Sequence, residues 1–143
     1  MLGKILFAIQ VIAIIVCAVP FTLHLPSPLT LLFMMVSLAL FLWVLSYNKA
    51  DNWSVLPAPK INGKLITSGP YHFMRHPMYL AVILCGLSFV IHNQSIQSFI
   101  AWLSLILILN IKARYEERLL NASHPEYQRY QANVKTRFLP SLF

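Results

Sequence analysis

Two short stretches hold most of the side chains whose types and spacing could do chemistry. The first is Tyr71-His72-Phe73-Met74-Arg75-His76-Pro77-Met78-Tyr79. Pro77 suits the first turn of a helix, where its missing N–H would be unpaired anyway. Arg75 and His76 then stand just before the helix, beside its free N–H groups and positive dipole end, an arrangement that can receive a carboxylate or phosphate. The same residue types also serve as plain anchors at the headgroup level of a membrane. The second stretch is Lys112-Ala113-Arg114-Tyr115-Glu116-Glu117, which carries two of the chain's four acidic residues. Adjacent carboxylates could balance a cation, orient a basic ligand or pair with Arg75. They could equally belong to a solvated helix face, with Lys112 opposite Glu116 and Arg114 opposite Glu117.

Several chemistries find no support. With only Gly3, Gly63, Gly69 and Gly86, the chain can form neither a Gly-x-Gly-x-x-Gly nor a phosphate-binding Walker loop. The five histidines are scattered, so a metal is not expected. No Ser or Cys has an evident partner base. Cys17 and Cys85 lie in apolar runs and read as small packing residues.

The elements that must position the two stretches follow from composition. The chain has 143 residues, 58% of them hydrophobic and only 10% charged, against about 25% charged in ordinary soluble domains. Residues 5–48 and 76–111 contain no Asp, Glu, Lys or Arg. A soluble globule, a disordered chain and a nucleic-acid-binding module are thereby excluded, and an all-α integral membrane protein is expected. Four apolar segments, about 5–23, 29–47, 78–91 and 96–111, predict four spans in two helical hairpins within a single membrane domain. No small-x-small cleavage site follows the first segment and a second span comes almost at once, so the first is read as retained.

The net charge of +7 reflects where the Lys and Arg lie. Lys4 precedes the first segment. Lys49, Lys60, Lys64 and Arg75 lie between the second and third, and the remaining six follow the fourth. The two short turns carry none. Both termini and the central loop are therefore expected on the cytoplasmic side, in what is read as a bacterial inner membrane, with the lipid bilayer as the main partner and no nucleic acid. In the tail, Tyr127, Tyr130 and Val134 share one helical face, predicting a cytoplasmic amphipathic helix that lies on the membrane or on the protein. Spans three and four, joined by a turn of about four residues, should pack antiparallel and bring the two chemical stretches together. By helix rise alone, the carboxylates should stand roughly 9 Å further out than Pro77, unless tilt or side-chain reach closes the gap.

The order of blocks carries a resemblance. Leu65-Ile66-Thr67-Ser68-Gly69-Pro70-Tyr71 is followed by Arg75-His76-Pro77-Met78-Tyr79, then Glu116-Glu117-x-x-Leu120, Tyr127-x-x-Tyr130-x-x-x-Val134 and Arg137-Phe138-Leu139-Pro140. Over about 61–140 this resembles the isoprenylcysteine carboxyl methyltransferase family and its bacterial relatives, including phospholipid methyltransferase-like proteins. The resemblance implies an all-helical membrane enzyme using S-adenosylmethionine. It implies that the cofactor is held by His76, Pro77, Met78 and Tyr79, by Tyr71, and by Gly63, Lys64, Leu65 and Ile66 upstream. Arg75 is added as a candidate for the cofactor's carboxylate. By the same resemblance, Glu116 and Lys112, with Glu117 beside them, lie near a lipophilic or small methyl acceptor. An alternative is the related NADPH-dependent sterol and steroid reductase architecture, against which the adjacent Glu116-Glu117 argues. A third is a membrane scaffold without an enzyme activity.

Overall fold

The structure is a computed structural model and describes residues 2–19, 24–48 and 65–138. Those residues form five α-helices and contain no strand: α1 (Leu2–Ala18), α2 (Pro28–Tyr47), α3 (Pro77–Asn93), α4 (Ile96–Ser123) and α5 (Tyr127–Asn133). A 3-10 turn at Gly69–His72 precedes α3. The all-α expectation holds for these residues.

The helix ends follow local chemistry. α1 stops at Ala18, short of the expected 5–23, because the residue before a proline, here Val19 before Pro20, is biased away from the helical region. Residues 20–23 lie outside the described residues. Ser27 caps α2 by accepting the Thr30 N–H at 3.2 Å, with Pro28 in the first turn. α3 runs two residues beyond the expected 91 and ends on Gln94 in the left-handed region (φ 48°). Ser95 then caps α4, accepting from the Gln97 N–H at 3.2 Å. The turn between α3 and α4 is thus only Gln94 and Ser95, tighter than expected. α4 continues without a break past the apolar run 96–111 as far as Ser123.

α2 and α4 are long and apolar enough to cross a membrane. α2 has a mean hydropathy of 2.4 over its apolar window, yet only 17% of that window is buried inside the protein. Leu31, Leu32, Met35, Leu38 and Leu42 all face outward. So apolar an outward face suits hydrocarbon better than water. α1 and α3, each of 17 residues, are shorter apolar helices.

α3 sits in the middle, packed against α2 on one side and against α4 and α1 on the other. Polar contacts fix the packing. Ser37 donates to the Ala81 carbonyl at 2.8 Å, joining α2 to α3. Trp102 donates from its indole to the Ile83 carbonyl at 2.9 Å, joining α4 to α3. Asn93 donates to the Cys17 carbonyl at 3.1 Å and so satisfies the open end of α1. At Gly86 an added Cβ would come within 2.9 Å of Trp102 Cδ1, so the missing side chain permits the α3–α4 approach. The core includes Tyr79, Ile83, Leu105, Leu109, Ala113 and, from the tail, Phe138.

Candidate active site

The start of α3 and the far part of α4 are drawn together by the tail. After α5, residues 134–137 run back alongside the segment that precedes α3. The Arg75 N–H donates to the Thr136 carbonyl at 3.0 Å and the His76 N–H to the Arg137 carbonyl at 2.8 Å. The Arg75 guanidinium donates to the Val134 carbonyl at 2.6 Å and the Lys135 carbonyl at 3.0 Å. Tyr127, Tyr130 and Val134 are buried together with Leu65 and Leu120 against them, so the predicted apolar face of the tail packs on the protein itself. Tyr130 also donates from its hydroxyl to the Tyr71 carbonyl at 2.6 Å, pinning the 3-10 turn. Burial pushes the Tyr127 and Tyr130 phenols well up, so both remain hydrogen-bond donors at neutral pH.

Glu117 is the hub. Its Oε1 receives Arg75 Nε at 2.9 Å, His76 Nε2 at 3.2 Å and Arg137 Nε at 3.2 Å, and its Oε2 receives Arg137 Nη2 at 2.9 Å. Arg137 also donates from Nη1 to Asn110 Oδ1 at 3.1 Å. The Glu117 side chain is only 6% exposed, on the part of α4 beyond its apolar run. Burial alone would raise its carboxyl. The bonds from His76, Arg137 and Arg75 outweigh that and hold it well below the usual carboxylate range. The solvated-face reading of Glu117 therefore fails, and Arg114 turns instead to Asn110 Oδ1 at 3.3 Å.

Glu116 points the other way and its side chain is 31% exposed. Tyr79 donates from its hydroxyl to Glu116 Oε2 at 2.7 Å. His76 Nδ1 lies 3.7 Å from the same oxygen. The His76 ring stacks on Tyr79 with 5.1 Å between centroids and 8° between planes. Lys112 is buried one turn before Glu116, donating to Gln10 Oε1 at 2.8 Å, with the rings of Phe7 and Tyr79 at 5.6 Å and 5.4 Å. Tyr71 is half-buried nearby. Burial and the Glu116 charge push its phenol up to about 12.

The roughly 9 Å step expected between Pro77 and the carboxylates is closed by contact. Arg75 and His76 precede Pro77, and their side chains reach the Glu117 and Glu116 carboxylates. The structure thus gathers Tyr71, Arg75, His76, Tyr79, Lys112, Glu116 and Glu117. Pro77 is fully buried at the helix start, Met78 packs half-buried against the core, and Leu65 and Ile66 are half-buried on the loop side. Arg75 is directed inward, with its guanidinium committed to Glu117 and the tail. Gly63 and Lys64 lie outside the described residues.

Sequence reasoning missed three members: Arg137, Asn110 and Gln10. Gln10 had a signal, as a lone amide in an otherwise apolar stretch of α1 one helix away from Lys112. Arg137 had a weaker one, since a buried acid in so apolar a chain needs more than one cation.

The comparisons with known proteins agree with this architecture. Residues 26–126 match the model of the phospholipid methyltransferase family. The cobalt-zinc-cadmium resistance protein CzcN of Cupriavidus metallidurans is 34% identical over 83 residues. That match takes in 57% of this chain and 38% of the relative, so the chain spans well under half the length of the curated relative it matches. With the family model covering α2 to α4 and the site residues from Tyr71 to Glu117, the chain belongs to the phospholipid methyltransferase family, whose members are membrane methyltransferases.

Proposed function

We propose that the protein is an integral membrane methyltransferase dependent on S-adenosylmethionine, acting at the cytoplasmic membrane face on a lipophilic or small acceptor bearing a thiol, carboxyl or amine. The observation that carries this reading is Glu116, a partly exposed carboxylate set between the Tyr79 hydroxyl and His76 at the boundary of an apolar helix bundle. In this reading α1 to α4 all cross the bilayer in two hairpins. At 17 residues α1 and α3 are roughly 25 Å long, a shortfall that local thinning of the bilayer absorbs. The absence of Lys and Arg from both short turns supports placing the site on the cytoplasmic side.

The residues present fit the cofactor. S-adenosylmethionine supplies an electrophilic methyl group on a cationic sulfur and needs no metal. The aromatic ring of Tyr71 and the charge of Glu116 suit a compact cation, and Tyr79 holds Glu116 in place through its hydroxyl. Pro77 and Met78 shape the floor at the helix start, with Leu65 and Ile66 on the loop side, and the family resemblance adds His76, Gly63 and Lys64. Arg75 fixes the loop to Glu117 and the tail. Glu116 faces the acceptor, and Lys112 stands behind it with Tyr79 between. The helices on either side exclude water from the transfer.

Family membership supports methyl transfer over the hydride transfer of the reductase alternative. Calorimetric titration of the purified chain in detergent decides between them. S-adenosylmethionine is expected to bind and NADPH is not. NADPH binding alone would overturn the proposal.

A further inference from the structure

His76 is held as a proton acceptor is held. Its Nε2 faces Glu117 Oε1 at 3.2 Å, and that carboxylate also receives Arg75 and Arg137. Glu117 is acceptor-only, so Nε2 must carry a hydrogen. In the neutral ring the other nitrogen, Nδ1, is then bare, and it faces Glu116 Oε2 across 3.7 Å. The stacked Tyr79 ring fixes the plane of the imidazole, and the bond from the His76 N–H to the Arg137 carbonyl fixes its backbone. A buried carboxylate on one ring nitrogen, with the other nitrogen turned toward the site, is the arrangement that sets a tautomer and readies a base.

We propose that His76 Nδ1, reached through Glu116, takes the proton that an N–H or S–H acceptor releases on methylation, and that Glu117 and Arg137 are positioning residues for it. The inference rests on the methyl-transfer reading above. The acceptor atom bonds to the methyl carbon as that carbon's bond to sulfur breaks, the bonding pair remaining with sulfur. The acceptor's proton passes to Glu116 Oε2 and on to Nδ1, leaving an imidazolium between two carboxylates. A closure of about 1 Å between Glu116 and His76 gives a charge-assisted hydrogen bond, and such bonds are often long before substrate binds. The charged and titratable groups facing the ring are Glu116 and Glu117 from α4, Tyr79 from α3, and Arg75 and Arg137 across Glu117. An acceptor that is already an anion, such as a carboxylate, has no proton to give and no use for this relay.

The first test needs no substrate. In the full chain labelled with 15N-histidine in detergent, His76 is assigned by the signals lost in His76→Gln or His76→Asn. In its neutral form the ring is expected to carry its hydrogen on Nε2, leaving Nδ1 bare. An Nδ1–H tautomer, or a ring holding both hydrogens throughout, overturns the proposal. The second test uses phosphatidylethanolamine vesicles and labelled S-adenosylmethionine. There His76→Gln, which still donates toward Glu117, is expected to lower kcat by about 10²–10⁴-fold, to flatten the acid limb of the pH profile and to respond to added imidazole. An unchanged kcat and pH profile overturns it. Failure of any acceptor to take up label counts against the methyl-transfer reading and leaves the tautomer to decide this one.

Discussion

Glu117 sets the site's electrostatics one side chain at a time. Its carboxylate bonds Arg75, His76 and Arg137, so its removal strands the buried guanidinium groups of Arg75 and Arg137. Glu117→Gln is expected to destabilise the protein by about 3–5 kcal/mol at neutral pH, the range for breaking a buried ion pair from one side, read as thermal unfolding in detergent. The same carboxyl predicts an acid limit. Its folded-state pKa lies below the unfolded value, which is about 4.3. The unfolded chain therefore binds the proton first, and the stabilisation present above that value is lost as pH falls through and below it. Wild type and Glu117→Gln should accordingly converge in stability below about pH 4, and a gap that widens there would refute the assignment. Gln10→Leu removes a bond that Lys112 donates. It is expected to cost about 1.5–3 kcal/mol, the range for a hydrogen bond to a charged group, again measured by thermal unfolding.

At the scale of elements, two glycines and the tail fix how the helices meet. Gly86→Leu puts a side chain where Trp102 stands 2.9 Å from an ideal Cβ, and overpacking of this kind costs about 1–3 kcal/mol. Gly69 has a positive φ of 61° and an ideal Cβ there would meet the Tyr47 ring at 2.6 Å. Gly69→Ala is therefore expected to displace the 3-10 turn and its Tyr71, seen as weaker S-adenosylmethionine binding by calorimetry. Phe138, 1% exposed, plugs the core from the tail, and Phe138→Ala should cost about 3–5 kcal/mol in thermal unfolding. Much of this was legible in sequence. Pro77 marked the start of α3, and the spacing of Tyr127, Tyr130 and Val134 marked the apolar face that α5 buries. The return of residues 134–137 along Arg75 and His76 was not legible, because it is made of backbone hydrogen bonds that no side-chain pattern encodes. Nor was the inward turn of Glu117, since neighbouring carboxylates on one helix look alike until their rotation against α3 is known.

For the whole molecule, the scarcity of charge is what organises function. A chain with two charge-free stretches can place ionic groups only at its interruptions, and among the described residues Arg75, Glu116, Glu117 and Arg137 converge where α3 begins and α4 leaves its apolar run. Sequence alone named Arg75, His76, Tyr79, Glu116 and Glu117 as neighbours. It missed Arg137 and Asn110 as the outer side of the cluster, because their role depends on how the tail folds back. The central claim, that this convergence is a methyl-transfer site, is tested most directly by following labelled methyl from S-adenosylmethionine into fractionated lipid and thiol extracts. Label should enter at least one fraction with the wild-type chain and fall sharply with Glu116→Ala. The contrary result is no label in any fraction from a folded wild-type chain, or label that Glu116→Ala leaves undiminished.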